Sequence, residues 1–577
     1  MLVSVLGGCG TTVKVAQLVG QGRARELRER GDDQPASSPL TNNKLLILLF
    51  DGIDRDTLYS MLREGQLPAL AALLSDNGTY TFPHAHFDDR MIATLPSSTM
   101  AAWTTTITGL PPAIHGVTGN EFFIREASRL GAPAPVTFSD AEPSIAIYTD
   151  GYLDSLKAGP TIYEQMRERD PDILVWVTMH SLYAGADKVL VAKRTILAKA
   201  FQHFVEEHTV DMVTGEKDPR GPYATLDKQA IGVTVDALED GPIPDVLTVY
   251  LAGADLYAHV AKEGPDVARR GYMSAVADPA LGKLYNRLAE RHALDDRYIV
   301  VVADHGHTQV VNDESHAMSA KGDTGPAALM RNAGYQLRPF KREVPKTTPF
   351  DAVWVAGGAT AYVYVADRST CESGAQPCDW TKPPRFDEDV VPLAEAFFRA
   401  SKDGTGMPNM KGSIDMVLTR EPVPFDEIDA PFEVYVGHGH TMPIAAYLAK
   451  HPHPSYVDME TRLADLATGI RGERAGDIML LATNGEKDTP EERFYFADPY
   501  CSWHGSPSRR DSELPFIVAH RHKSARTIKT ILNRQFGEKV YPESIANALL
   551  NLRYGTTDST FATRGFGGDR PRRAARR

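Results

Sequence analysis

The sequence predicts an α/β protein with a mostly parallel central sheet and helices on both faces. Several apolar runs of strand length, such as KLLILLF at 44–50 and RYIVVVA within 296–307, are continuous rather than alternating, as in strands buried on both faces. Three of these runs lead into an aspartate, and stretches of helical periodicity separate them. The chain has 577 residues, 42% hydrophobic and 24% charged, which allows a large core and excludes a wholly disordered protein.

Strands and helices alternate through the first half of the chain. Parallel neighbours need a crossover connection, which a helix usually supplies, so this alternation supports a parallel sheet. In chain order, the predicted elements are a strand beginning at Lys44, helical spacing over 54–75, strands at 172–180 and 244–255, a helix over 278–294 and a strand at 296–307.

The stretch 308–490 is less regular and contains several segments rich in glycine and proline. We expect it to mix core elements with a cap or long loops inserted into the domain. Its strand candidates are 353–365, 413–421 and 476–486.

Composition divides the chain into one large folded domain and two ends. A core-type strand at 514–520 and an amphipathic helix over 541–555 close the domain, which we place at 44–555. Residues 1–43 are predicted to be a disordered leader or tether. Residues 556–577 are predicted to be a basic disordered tail, with five arginines among the last eight residues.

The charge balance limits the partners of the chain. Lys+Arg 62 against Asp+Glu 75 gives 62 − 75 = −13, and an acidic body argues against binding of duplex nucleic acid. A small phosphorylated substrate remains compatible, because a bound metal ion reverses the charge locally. No apolar run approaches the ~18–20 residues of a membrane span, and the oligomeric state stays open.

The cysteines bear on where the protein resides. The apolar start ends in Leu6-Gly7-Gly8-Cys9, which resembles a bacterial lipoprotein cleavage box and predicts a periplasmic or outer-membrane lipoprotein with lipidated Cys9. A basic n-region is missing, so a disordered cytoplasmic leader is the alternative. Cys371 and Cys378 lie in a short turn-rich loop, and we expect them to form a disulfide if the protein is exported.

Carboxylate and imidazole groups gather at the predicted ends of three strands. They are the ligands that zinc and similar divalent ions prefer. Each has an ordinary structural alternative, as a helix cap, a surface pair or a turn residue, but the repetition favours a two-metal site. Asp255 and His259 are four residues apart and share one face of a helical turn. The candidate ligands are Asp51, Asp255, His259, Asp304, His305 and His504.

Ser97, Ser98 and Thr99 are the candidate nucleophiles. They lie where a loop is predicted to become a helix, and the free N–H groups of a helix start suit a phosphate. A neighbouring metal would lower the pKa of a hydroxyl there. Simple N-capping is the structural alternative.

Taken in order, these motifs resemble the type I phosphodiesterase/nucleotide pyrophosphatase branch of the alkaline phosphatase superfamily. The resemblance covers roughly residues 44–555, and the Thr-Gly-Leu and His-Gly spacing is its most specific part. The matching motifs are Asp51-Gly52, Pro96-x-x-Thr99, Thr108-Gly109-Leu110, His115-Gly116, Gly119-Asn120, Asp255-x-x-x-His259, Asp304-His305-Gly306 and His504-Gly505.

The resemblance implies an alkaline-phosphatase-like sandwich with an inserted cap and two divalent metal ions, zinc being the first choice. Asp255, His259 and His504 would hold one ion. Asp51, Asp304 and His305 would hold the other, with Thr99 as fourth ligand and as the nucleophile that forms a phosphothreonine. Ser98 is the alternative nucleophile, one residue out of the motif's register.

The implied activity is hydrolysis of phosphodiester or nucleotide pyrophosphate bonds in a small phosphorylated substrate. A phosphomonoesterase or phosphonate hydrolase of the same superfamily, and a non-catalytic binding protein, are the alternatives. The family's Phe-Pro-Asn after the nucleophile is replaced by Met100-Ala101-Ala102, which removes an expected phosphoryl donor. Arg90, His307 and Lys321 are candidates to replace it. A sulfatase would need a Pro-x-Arg context that is missing after Ser97.

Overall fold

The structure is a computed structural model that describes residues 25–26, 43–205, 220–371, 376–422 and 430–555. Its strands are β1 Arg25–Glu26, β2 Lys44–Phe50, β3 Ala85–Asp88, β4 Phe122–Ile124, β5 Arg129–Gly131, β6 Val175–Thr178, β7 Lys188–Leu190, β8 Val246–Leu251, β9 Arg297–Ala303, β10 Thr308–Gln309, β11 Ala352–Gly357, β12 Thr360–Val365, β13 Ile414–Thr419, β14 Glu433–Gly437, β15 His440–Pro443, β16 Ile478–Ala482, β17 Ser502–Trp503 and β18 Phe516–Ala519.

The larger sheet has the strand order β1-β7-β6-β8-β2-β9-β18-β3. The five central strands β7, β6, β8, β2 and β9 are parallel, whereas β1 and β18 pair antiparallel with their neighbours. Every residue of β8 and β9 is buried, which explains their continuous apolar sequences. The predicted α/β fold with a mostly parallel sheet is confirmed.

Strand register aligns the carboxyl ends of the three strands that lead into the candidate ligands. Phe50 of β2 pairs with Leu251 of β8 on one side and with Ala303 of β9 on the other. Because all three strands are parallel, the residues that follow them emerge at one edge of the sheet. Asp51 and Asp304 therefore start from adjacent positions.

A second sheet, antiparallel throughout, has the order β11-β12-β16-β13-β14-β15. Separate apolar clusters cover its two faces. The single strand predicted at 353–365 is wrong, because the chain reverses there into a β11–β12 hairpin. Gly358 in the turn has φ +75°, and a Cβ on it would lie 2.5 Å from the carbonyl oxygen of His504. The hairpin turn thus packs directly against the segment that carries a candidate ligand.

Helices flank the larger sheet and supply its crossovers. The spacing over 54–75 resolves into two helices, because Pro68 starts the second one. The α-helices are Arg55–Arg63, Pro68–Leu73, Thr99–Thr108, Pro112–His115, Glu142–Thr149, Tyr152–Leu156, Ile162–Arg169, Arg194–Val205, Gly221–Asp240, Gly253–Val260, Pro265–Tyr272, Asp278–Glu290, Pro326–Asn332, Val391–Asp403, Ile444–Lys450, Met459–Ala467, Arg509–Ser512, Ala525–Leu532 and Glu543–Tyr554.

The two ends of the folded body meet. The Asn43 N–H donates to the Arg553 carbonyl at 3.0 Å, and Asn43 Nδ2 donates to the Leu552 carbonyl at 2.9 Å. Cys371 and Cys378 form a disulfide, as their spacing predicts. Cys9 lies outside the described residues, as does the 556–577 tail. Among the described helices, none combines the length and apolar character that crossing a membrane requires.

Candidate active site

The structure brings all seven predicted site residues together at the carboxyl edge of the parallel sheet. Asp51 follows β2, and Asp304 and His305 follow β9. Asp255 and His259 differ from the prediction in one respect: β8 ends at Leu251, and both residues lie in the next helix, Gly253–Val260. His504 follows β17, Thr99 opens the helix Thr99–Thr108, and all seven are buried.

The first cluster of ligand atoms contains Asp51, Asp304 and His305. Their ligand atoms lie within 4.8 Å of one another, with His305 Nε2 at 3.5 Å from both Asp51 Oδ1 and Asp304 Oδ2. Thr99 Oγ1 lies 3.0 Å from His305 Nε2. The predicted second group of ligands and the nucleophile thus converge on one point.

The second cluster centres on Asp255. Its Oδ1 lies 3.5 Å from His259 Nε2, 3.9 Å from His305 Nε2 and 4.0 Å from His504 Nε2. His307 belongs here too, with Nε2 at 2.8 Å from the same oxygen. The ligand atoms form the overlapping groups Asp255/His305/His504 and Asp255/His259/His307, so the predicted division of ligands between two ions stays a prediction.

Main-chain carbonyls orient three of these imidazoles. His504 Nδ1 donates to the Ser97 carbonyl at 2.8 Å, His259 Nδ1 to the Ser502 carbonyl at 2.8 Å and His305 Nδ1 to the Gly306 carbonyl at 3.0 Å. Each ring therefore carries its proton on Nδ1 and presents an unprotonated Nε2 to the cluster. Since His305 Nε2 is an acceptor, the Thr99 hydroxyl donates to it.

The electrostatics of the cluster favour a cation among its carboxylates. Burial and then the charges of Asp255 and Asp304 raise the pKa of Asp51 well above its usual value. Burial raises the pKa of Asp304 to about 7, with a further contribution from Asp255. Burial also raises the pKa of Asp255, but attraction to His259 and His307 outweighs it and leaves that pKa well below its usual value. Three carboxylates this close repel one another unless a positive charge separates them.

The side chains fit a divalent cation. Asp51 Oδ1 and Asp304 Oδ2 are buried and have no hydrogen-bond partner among the described residues, although buried polar atoms are normally paired. Burial lowers the pKa of His504 to about 4, which keeps its imidazole neutral as a ligand must be. Carboxylate and neutral imidazole form the donor set of zinc sites.

Gly52 allows this convergence. It has φ +69°, and a Cβ on it would lie 2.7 Å from His307 Nε2 and 2.8 Å from Asp255 Cβ. A side chain at this position would collide with the second cluster, so the Asp51-Gly52 dipeptide is a packing requirement of the site.

Thr99 and Ser98 have different surroundings. Ser98 is the residue before the helix, and its side chain makes no capping bond. Ser98 Oγ is buried without a partner among the described residues. Thr99 Oγ1 is the hydroxyl that reaches the ligand cluster, whereas Ser97 Oγ donates to the Ser506 carbonyl at 2.9 Å and is structural.

Asn120, which the sequence marks only as part of the Gly119-Asn120 motif, is a further functional candidate. It lines the cavity beside Thr99, and its Oδ1 accepts a hydrogen bond from the Met100 N–H at 3.0 Å. Its Nδ2 amide is then the group available to a ligand. The Gly-Asn motif was the only sign of this role in the sequence. Met100 and Asn120 are 20 residues apart, so their hydrogen bond does not follow from local sequence.

Arg90, His307 and Lys321, the candidates for the missing phosphoryl donor, lie in different parts of the structure. Arg90 pairs with Asp88 at 2.6 Å and donates to Asn533, outside the cavity lining. Lys321 pairs with Asp498 at 2.5 Å. Only His307 touches the ligand cluster.

A cavity opens from the ligand cluster toward solvent. Its wall is mainly aromatic and aliphatic. The residues that line it include Asp51, Thr99, Asn120, Ser139, Asp140, Tyr148, Phe201, Phe204, Asp255, His259, Asp498, Tyr500 and His504.

Comparison with known proteins places the chain in a protein family. The family model described as "Type I phosphodiesterase / nucleotide pyrophosphatase" matches residues 45–374, more than half of the chain. Among solved structures, similarity is found to murine ectonucleotide pyrophosphatase/phosphodiesterase 5, at 12% identity and TM-score 0.45 over 88% of this chain and 94% of that one. It is also found to phosphonoacetate hydrolase from Sinorhizobium meliloti 1021 in complex with phosphonoformate, at 15% identity and TM-score 0.43 over 89% and 96%.

Proposed function

The chain belongs to the type I phosphodiesterase/nucleotide pyrophosphatase family, and from this premise we propose that it cleaves phosphodiester or nucleotide pyrophosphate bonds with Thr99 as nucleophile. The observation that carries the proposal is the position of Thr99 Oγ1, at the start of a helix and 3.0 Å from His305 Nε2 in the ligand cluster. A hydroxyl placed there is next to two groups of potential metal ligands.

The proposed reaction has two steps. In the first, the Thr99 hydroxyl loses its proton to water, Oγ1 attacks phosphorus in line with the leaving oxygen, and the bond between phosphorus and that oxygen breaks. The leaving oxygen takes up a proton, and the phosphothreonine that forms keeps the remaining ester or nucleotide substituent. In the second, a water oxygen attacks the same phosphorus, the bond from phosphorus to Oγ1 breaks, and Oγ1 regains a proton as the phosphomonoester is released. Divalent cations, when bound by the three aspartates and the histidines, would supply Lewis-acid stabilisation of the attacking and leaving oxygens.

Asn120 and the start of the helix bind the phosphoryl group in this proposal. The Asn120 Oδ1 is fixed by the Met100 N–H, which turns the carboxamide into a donor for a phosphoryl oxygen. The free N–H groups of the first helical turn add positive potential at the same point. Asn120 thereby takes the role of the phosphoryl donor that Met100-Ala101-Ala102 does not supply.

Trapping the intermediate tests this function directly. Metal-free protein, prepared by chelation, should be inactive, and zinc should restore hydrolysis of bis(4-nitrophenyl) phosphate. Rapid acid quenching during turnover should leave a 4-nitrophenyl phosphoryl group on the peptide that contains Thr99, detected by mass spectrometry. The proposal is wrong if chelated protein keeps full turnover. A strong preference for 4-nitrophenyl phosphate would instead indicate a phosphomonoesterase, and a strong preference for a phosphonate would indicate a phosphonate hydrolase.

We also propose that the protein is exported and lipidated at Cys9. The Leu-Gly-Gly-Cys sequence at 6–9 and the Cys371–Cys378 disulfide support this, because disulfides persist in oxidising compartments. Mass spectrometry of the N-terminal peptide from membranes should find a diacylglycerol adduct on Cys9, and Cys9→Ala should release the protein into the soluble fraction. Unmodified Cys9 in cytosolic protein would contradict the proposal.

A further inference from the structure

Of the four histidines in the ligand groups of the described residues, His307 is the one to which the family resemblance assigns no metal. Its side chain is 0% exposed, and the cavity wall that the described residues form does not include it. A group bound in that cavity beside Thr99 and Asn120 therefore does not contact the His307 ring. The role of phosphoryl donor considered for this histidine is not supported, and its contact with Asp255 needs another explanation.

The end of the helix Gly253–Val260 determines how the hydrogen bonds around Ser502 are directed. The last carbonyl groups of a helix have no partner within the helix, and the segment 501–502 supplies partners here. The Cys501 N–H donates to the His259 carbonyl at 2.7 Å, and Ser502 Oγ donates to the Ala258 carbonyl at 2.8 Å. Ala258 is completely buried, so water does not compensate for the loss of this bond. The proton of the Ser502 hydroxyl is thus committed to Ala258.

This hydroxyl decides which nitrogen of His307 carries a proton. His307 Nδ1 lies 3.1 Å from Ser502 Oγ, and the oxygen accepts from it because its own proton points to the Ala258 carbonyl. His307 therefore carries its proton on Nδ1, and its Nε2 presents a lone pair. The His259 ring is oriented in the same way, since its Nδ1 donates to the Ser502 carbonyl at 2.8 Å. One residue thus orients two imidazoles, through its hydroxyl and through its carbonyl.

Three acceptor atoms then face one another in the second cluster. His307 Nε2 and His259 Nε2 lie 2.8 and 3.5 Å from Asp255 Oδ1, and the ligand atoms of all three residues are within 4.8 Å of one another. A carboxylate oxygen and an unprotonated imidazole nitrogen share no proton, so a cation between them is what makes so close a contact favourable. One carboxylate with two neutral imidazoles is the donor set of zinc sites that keep a position open.

We propose that His307 is a metal ligand, and that Asp255, His259 and His307 form one cation position of the site, with Ser502 as the residue that orients both imidazoles. The inference rests on the metal dependence of the proposed function and deepens it by adding a ligand that the family resemblance does not give. It needs no phosphodiester turnover, because metal binding is measured without a substrate. His504 remains a candidate ligand through its own group with Asp255.

A crystal structure of the zinc-loaded protein, with zinc located by anomalous scattering, tests the assignment directly. We expect zinc at about 2.0–2.1 Å from His307 Nε2, the usual zinc–imidazole distance, and in contact with Asp255 and His259. Zinc bound to Asp255 but more than about 3 Å from His307 Nε2 would overturn the proposal and leave the metal dependence of the proposed function intact. Protein that binds no zinc would reject both.

A glutamine variant separates a metal ligand from a hydrogen-bond donor. The amide of His307→Gln can donate to Asp255 but is not among the usual zinc ligands, so titration of the chelated variant with zinc should show the affinity of one site lowered about 100-fold. His520→Gln is the matched control. This histidine is 4% exposed and follows Ala519, which pairs with Ile299 of β9, away from the ligand edge. Wild-type zinc affinity in His307→Gln would count against the ligand role.

A serine variant tests the orienting residue. Ser502→Ala keeps every ligand but removes the acceptor for His307 Nδ1, and we expect a loss of about 10- to 100-fold in zinc affinity, as for other groups that orient metal ligands. Ser413→Ala is the control, because this hydroxyl is equally buried and donates to the Met410 carbonyl at 2.7 Å. Equal zinc affinity in the two variants would reject the proposed role of Ser502.

Discussion

The hydroxyls of Thr99 and Ser98 are neighbours in the chain but not in environment. Thr99 Oγ1 contacts His305, whereas Ser98 Oγ is buried without a partner in the described part of the chain. Thr99→Ala should therefore lower kcat by several orders of magnitude, because the covalent route disappears. Thr99→Ser should keep substantial activity at a packing loss of about 1 kcal/mol. Steady-state assays of purified variants measure this.

Ser98→Ala is the control for that experiment. Its hydroxyl makes no hydrogen bond to any described residue, so activity and unfolding free energy should change little. An inactive Ser98→Ala beside an active Thr99→Ala would mean that the nucleophile is Ser98, one residue from the position that the motif register gives.

Glu121 makes stability depend on pH. Its Oε2 accepts from the N–H groups of Val136 and Thr137 at 3.1 and 3.0 Å, but burial dominates and raises its pKa to about 7. The folded state holds this proton more tightly than the unfolded state does. The contribution of this proton to the unfolding free energy is therefore complete below the unfolded pKa of about 4.5. It is lost as pH rises to about 7, and the loss is of the order of 3 kcal/mol.

Glu121→Gln should remove that loss. The unfolding free energy of the variant minus that of wild type should be larger at pH 8 than at pH 4.5. Urea denaturation at both pH values measures this difference. Glu290→Gln, on a side chain 67% exposed, should show no such change. The same difference between variant and wild type at both pH values would disprove the role of Glu121.

At the scale of elements, one buried arginine joins the helix Met459–Ala467 to two loops of the site. Arg462 donates to the Thr94 carbonyl at 2.7 Å and to Ser97 Oγ at 2.9 Å, and on the other side to the Pro507 carbonyl at 3.3 Å. The Ser97 carbonyl in turn accepts from His504 Nδ1. Arg462 thus holds in place both the segment before Thr99 and the segment after His504.

Replacing this arginine should damage both stability and catalysis. Arg462→Met leaves buried acceptors unpaired, and we expect a loss of about 3 kcal/mol in unfolding free energy and a fall in kcat larger than the change in KM. Arg509→Met, on a side chain 60% exposed, is the matched control. If Arg462→Met lost stability but kept kcat, Arg462 would be structural only.

The parallel strands were predictable, whereas the second sheet was predictable only in part. β2, β8 and β9 are buried on both faces. Their sequences are therefore continuous apolar runs, which distinguishes them from elements at the surface. The β11–β12 hairpin was misassigned because both arms are also buried and mostly apolar. Its turn is only Gly358-Ala359, which the sequence alone does not separate from a strand with a bulge. Strand direction was equally hidden in β18, whose antiparallel pairing depends on distant partners.

For the whole molecule, cations at the site should stabilise the fold. Without them, Asp51, Asp255 and Asp304 face one another in a buried cluster, and any ligand that binds only the folded state adds stability by mass action. Adding zinc to chelated protein should raise Tm, and the rise should be smaller in Asp304→Asn and in His504→Ala, with metal content falling in parallel. An unchanged Tm at saturating zinc would contradict the metal assignment.

The convergence of the candidate ligands was largely predictable, because most of them follow strands or share one helix face. Parallel order forces Asp51 and Asp304 to one edge, and the four-residue spacing of Asp255 and His259 does the same within a helix. Asn120 and the contact of His307 with Asp255 depend on how separate loops pack over the sheet edge, and local sequence does not encode this. The aromatic cavity wall was likewise not predictable from local sequence, because Phe204 and Tyr500 are almost 300 residues apart.

The meeting of Asn43 with Leu552 and Arg553 has a practical consequence for protein engineering. Because Asn43, which precedes β2, is hydrogen-bonded to the end of the last helix, a short glycine-serine linker can join these two points without crossing the molecule. New termini can then be opened in an exposed connection, such as the turn around Gly412 between the helix Val391–Asp403 and β13. A circular permutant of this kind keeps every strand that carries a ligand, and it frees both new ends for fusion on the second sheet.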